Sequence, residues 1–129
     1  MTKQILIIDD DPDYVEAVSA MIESRGHKVE AASDSTKGLK KINDNKPDLI
    51  ILDVMMETKD EGFRFARKLK RNDEFKNIPI LMLTSIREAT GFDFSLEVGD
   101  NKWLPVDDYC DKLVKKEDLL AKIEKLLKL

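Results

Sequence analysis

Apolar residues follow two alternating rhythms along this chain. Short unbroken runs, "QILIID" (4–9), "LIILD" (49–53) and "IPILMLTS" (78–85), are rich in β-branched residues and bounded by polar ones. That pattern predicts strands buried on both faces. "HKVEAA" (27–32) and "PVDDYC" (105–110) carry the same rhythm more weakly and predict strands nearer the sheet edges, with His27 facing solvent and without a role. Amphipathic segments lie between the runs. Asp11 predicts a helix cap with Pro12 at the first helical position, Val15, Val18 and Ile22 on one face, and a stop at Gly26. A second helix is predicted from about Ser35 to Asn45 with Leu39 and Ile42 inward, and a third from about Asp60 to Asn72 carrying Phe63, Ala66 and Leu69. The last, about Lys115 to Lys128, buries Leu119, Leu120, Ile123 and Leu127 and exposes lysines and Glu124. Residues 87–98 predict a fourth helix, interrupted by Gly91 and followed by the loop "VGDNKWLP".

A strand-helix order repeated five times implies parallel strands with right-handed crossovers and helices on both faces, a doubly wound α/β domain. Neither an internal repeat nor a linker interrupts it, so residues 1–129 read as one domain. Composition narrows the class further. Charged residues make up 37% and hydrophobic residues 42%, and no apolar stretch is long enough to span a bilayer. Cys110 is the only cysteine, which suits a reducing cytoplasm. With 22 basic and 26 acidic residues the net charge is -4, which does not indicate a nucleic-acid-binding surface.

The chemistry concentrates at strand ends. In doubly wound folds ligands sit outside the carboxyl ends of the strands. Asp9, Asp10 and Asp11 end the first strand, Asp53 the third, and Thr84 and Ser85 the fourth, while Lys112 follows the fifth. A structural cap needs one aspartate; three in succession are expected to be neutralised by a cation. A carboxylate set without histidine or cysteine favours a hard ion, and the absence of a Ca²⁺-loop spacing points to Mg²⁺, with Mn²⁺ as a substitute.

"ILIIDDDPD", "PDLIILDVMM", "IPILMLTS" and "DDYCDK" together resemble the signature segments of bacterial response-regulator receiver domains, in order and across essentially the whole chain. The resemblance implies a flavodoxin-like strand order 2-1-3-4-5 and a phosphoacceptor at Asp53. It implies Mg²⁺ held by Asp10, Asp53, the main-chain carbonyl of Met55 and, directly or through water, Asp9. Lys112 would act as a point charge on the phosphoryl oxygens, and Thr84 would donate its hydroxyl to them. Phosphorylation adds about -1.5 to -2 charge. Thr84 drawn toward it would vacate space for Tyr109, changing the surface of the fourth helix, fifth strand and fifth helix. That surface would meet a partner protein or a second copy of the chain. The phosphodonor would be a sensor histidine kinase or a small molecule.

Some positions depart from the family pattern. Leu113 replaces the proline after the lysine, a site that normally holds a cis bond. Because a non-proline cis bond costs about 2.5–4 kcal/mol, a trans Lys112–Leu113 bond is expected. The loop after Asp53 reads "MMETKDEG", and the stretch from Thr84 to Lys112, with the single tryptophan Trp103, is longer than usual. Met55 and Ile86 occupy the positions that control access of hydrolytic water. Both are apolar, so a long-lived phosphoryl group is expected. The chain would be no enzyme beyond its own phosphorylation and dephosphorylation. Alternatives are a phosphorelay intermediate, a receiver that binds partners without phosphorylation, and a metal-dependent phosphatase. The last would want an aspartate where Met55 stands.

Overall fold

The computed structural model describes residues 2–53, 61–84, 106–111 and 115–128. Among them are five strands, β1 (Gln4–Ile8), β2 (Lys28–Ala32), β3 (Leu49–Asp53), β4 (Ile80–Thr84) and β5 (Asp108–Asp111). Three helices alternate with the first strands, α1 (Pro12–Glu23), α2 (Ser35–Asp44) and α3 (Glu61–Lys70), and a C-terminal helix spans Lys116–Leu126. The strands form one parallel sheet in the order β2-β1-β3-β4-β5. The expected doubly wound architecture and strand order are therefore observed.

Strand alternation divides the core into two layers, because successive side chains point to opposite faces. Leu6, Ile8, Ile50, Leu52, Ile80 and Met82 pack with Ile42 of α2 and with Phe65, Ala66 and Leu69 of α3. Ile5, Ile7, Leu49, Ile51, Leu81 and Leu83 pack on the other side with Val18 and Ile22 of α1, with Leu119 and Ile123 of the C-terminal helix, and with Leu127 at its cap. This two-sided burial is why the central runs read as continuous apolar stretches. Local signals set the joints. Asp11 caps α1 by accepting from the Asp13 and Tyr14 N–H groups, and Gly26 takes φ +86° just beyond the helix, where a side chain would be strained. α2 sits close to β1: a Cβ at Gly38 would lie 2.6 Å from Ile8 Cδ1.

Two expectations change. His27 is buried, not solvent-facing, and its Nδ1 accepts the Lys3 N–H at 3.2 Å. The strand begins one residue later than its apolar rhythm implied, so His27 belongs to the turn that folds back over Lys3. Phe65 and Phe75 join the core although the periodicity did not single them out, whereas Ile78 and Val106 lie in the expected apolar runs but precede the strands themselves. Phe63, Ile86, Trp103, Leu113 and the helix expected over 87–98 lie outside the described residues or side chains. Among the described residues no helix is long and apolar enough to cross a membrane.

Candidate metal and phosphoryl site

The site grows from the way β1 ends. The Asp9 N–H continues the sheet ladder to the Ala32 carbonyl at 3.0 Å. Its carboxylate is buried, and Oδ1 accepts the Asp11 N–H at 2.9 Å, which turns the chain into α1. Asp11 Oδ1 is engaged in capping, at 3.1 Å from the Asp13 N and 3.2 Å from the Tyr14 N. Asp10, between these two, is exposed. The triplet thus divides its labour: Asp9 shapes the turn, Asp11 holds the helix and Asp10 faces solvent.

Strand order brings the fourth carboxylate to them. β3 lies beside β1 with Ile8 opposite Leu52, so Asp53 ends its strand next to Asp9. Asp53 is buried, and oxygens of Asp9, Asp10 and Asp53 all lie within 4.8 Å of one another. Two buried carboxylates at that separation repel by about 3 kcal/mol at an effective dielectric near 20. A helix cap contributes only about 1 kcal/mol, so capping alone does not account for the arrangement. Three converging oxygens with no nitrogen or sulfur ligand beside them among the described residues, one of them open to water, fit a hard divalent cation that retains part of its hydration.

The neighbouring strands carry the remaining expected positions toward this point. Asp53 is opposite Leu83, so the Thr84 backbone ends β4 one rung further along, opposite Asp111. The Thr84 side chain lies outside the described residues, as do Lys112, Met55 and Ile86. Lys112 directly follows Asp111, the last residue of β5. Tyr109 is half-buried in β5 against the core layer that includes Phe65 and Met82. Lys122 of the C-terminal helix lies 5.9 Å from its ring centroid and 3.3 Å from both carboxylate oxygens of Asp108. This Lys122 clamp was not anticipated; its only signal is a helical lysine facing the strand.

An open groove of about 700 Å³ adjoins the acids, lined by Asp9, Asp10, Pro12 and Val15 on one side and by Lys37, Lys40 and Lys41 of α2 on the other. It too was missed. Its cations come from a helix whose spacing alone, at 37, 40 and 41, marked a shared face.

Comparison with known proteins agrees with this geometry. The response regulator receiver domain family matches residues 5–124. The DNA-binding dual master transcriptional regulator RpaA of Synechocystis is 36% identical over 97% of this chain and 49% of its own length. The phosphate regulon transcriptional regulatory protein PhoB of Pseudomonas aeruginosa is 35% identical over 98% of this chain and 52% of its own. The chain therefore spans about half the length of these curated relatives. Among solved structures, the chemotaxis response regulator CheY4 of Vibrio cholerae superposes with a TM-score of 0.80 at 26% identity, covering 98% of this chain and 99% of that one.

Proposed function

Because this chain belongs to the response regulator receiver domain family, we propose that it accepts a phosphoryl group on Asp53 in two-component signalling. The observation that carries the reading is the convergence of Asp9, Asp10 and Asp53 at the carboxyl end of the sheet. The donor is the phosphohistidine of a sensor kinase or a small phosphodonor. A carboxylate oxygen of Asp53 attacks phosphorus, the bond to the donor breaks, and its electron pair returns to the donor's nitrogen or oxygen. Asp9, Asp10, Asp53 and the Met55 carbonyl would hold Mg²⁺, or Mn²⁺ in its place. The chemistry such an ion supplies is neutralisation of negative charge between the carboxylates and the incoming oxygens.

The protein's own part is positioning. Burial keeps Asp53 at a fixed strand end, and Lys112 offers a cation to the phosphoryl oxygens. Thr84 then donates its hydroxyl to the new group, and Tyr109 follows it inward. Lys122, seated between Asp108 and the Tyr109 ring, helps hold the starting position. The altered surface of the fourth helix, β5 and the C-terminal helix meets a downstream protein or a second copy. Turnover is limited to self-phosphorylation and self-dephosphorylation, in the cytoplasm. Apolar Met55 and Ile86 exclude water and prolong the phosphorylated state.

Intact mass after incubation with Mg²⁺ and phosphoramidate tests the central claim. The expected result is a gain of one phosphoryl group that needs divalent metal and is absent in Asp53→Ala. Loading of Asp53→Ala equal to wild type overturns it.

A further inference from the structure

α3 and the residue that follows it carry basic side chains at positions 64, 67, 68 and 71, the i, i+3, i+4, i+7 spacing that places side chains in one stripe. The stripe runs about 10 Å along the helix. Arg64, Lys68 and Arg71 are exposed, and the side chains of Lys68 and Arg71 make no hydrogen bond or ion pair among the described residues. Lys70, just off the stripe, behaves differently: it donates to the Ile78 carbonyl at 3.1 Å and to Asp107 Oδ2 at 2.8 Å. The charges of Lys68 and Arg71 are thus not engaged in the packing of α3 among the described residues, and like charges at this spacing oppose the helix that bears them.

Two adjoining grooves share Arg64 and Lys68. One, of about 430 Å³, extends to Arg71 and Asn72. The other, of about 470 Å³, runs across to α2 and is floored by Leu39 and Phe65 beside the hydroxyls of Ser35 and Thr36. The result is a trough with a cationic rim and a partly apolar floor, on a chain whose net charge is -4. α1, on the opposite sheet face, is the reverse: it carries Asp13, Glu16 and Glu23 and no basic residue.

We infer that the α2–α3 trough docks an acidic amphipathic segment of a partner protein. Carboxylates of the segment meet Arg64, Lys68 and Arg71, for which the guanidinium fork is well suited. Its apolar side chains cover Leu39. The floor argues against nucleic acid, which offers no apolar complement along its phosphates, and among the described residues the trough presents no exposed aromatic side chain for base stacking. The surface is separate from the Asp53 site and from β5, so a partner held here could remain bound through a phosphorylation cycle.

The test is fluorescence anisotropy with a labelled synthetic helix bearing leucines on one face and glutamates on the other. The comparison probes are an all-glutamate peptide, single-stranded DNA and phosphatidylserine vesicles. Wild type is expected to bind the amphipathic helix most tightly. Lys68→Glu/Arg71→Glu is expected to weaken it by about tenfold or more, while Lys116→Glu/Lys125→Glu, with the same change in net charge, leaves it within about twofold. Phosphoramidate loading of Asp53 in both variants verifies that they fold and keeps this result independent of the phosphoacceptor. Equal weakening in the two variants, no binding by wild type, equal binding of the all-glutamate peptide, or tighter binding of DNA or vesicles through the same residues would each overturn the inference.

Discussion

At the amino end of the sheet, Asp48 accepts the Gln4 N–H at 2.8 Å and Asp107 accepts the Ile80 N–H at 2.8 Å, each tying the start of a neighbouring strand. Lys70 adds a 2.8 Å ion pair to Asp107. At the carboxyl end, aspartates again close the strands, yet Asp9, Asp10 and Asp53 converge on one another within 4.8 Å. The same side chain serves opposite purposes at the two ends. Below, the carboxylates of Asp48 and Asp107 stand apart and each joins two elements; above, three carboxylates are gathered on one another as well as on their donors. Folding alone does not call for the second arrangement, and that contrast is what supports the proposed role of the upper end.

The contrast can be broken in order of expected effect. Asp53→Ala should abolish phosphoryl loading altogether, measured by intact mass, whereas Asp48→Ala should load like wild type. Lys70→Ala should lower unfolding free energy by about 1–3 kcal/mol, because it removes bonds to two loop carbonyls and to Asp107. Urea titration measures this, and undiminished loading at Asp53 would confirm that the lower end is structural. With metal chelated, Asp53→Asn should raise stability by about 1–2 kcal/mol through relief of repulsion with Asp9. Saturating Mg²⁺ should reverse that ranking by stabilising wild type alone, as thermal melts with and without chelator would record. Asp48→Ala should have the smallest effect, about 0.5–1.5 kcal/mol, since its bond to Gln4 is exposed. A destabilising Asp53→Asn in chelator would erase the proposed difference between the ends.

Much of the upper end was legible in the chain. Each acid there terminates an apolar run, so strand assignment and the carboxyl-end rule for parallel sheets suffice to collect Asp9, Asp10 and Asp53. The lower end was hidden because its partners are remote: Lys70 reaches Asp107 across a separation of 37 residues, and Lys3 reaches His27 across 24. No periodicity encodes such pairs. The α2–α3 trough was obscure for the same reason, since its rim comes from one helix and its Leu39 from another.

What this sequence determined unaided is therefore whatever depends on near neighbours: the period-two and period-3.6 rhythms that select strand or helix, the Asp11–Pro12 cap, and the identity of residues at each strand's end. What only the tertiary structure decided is which distant groups meet where neither rhythm nor resemblance names them, namely the burial of His27, the reach of Lys70 to Asp107, and the pairing of Lys122 with Asp108 and Tyr109. The division follows from the physics. Backbone propensity acts over a few residues, whereas burial and charge act through space, and their outcome exists only once the sheet has closed over its helices.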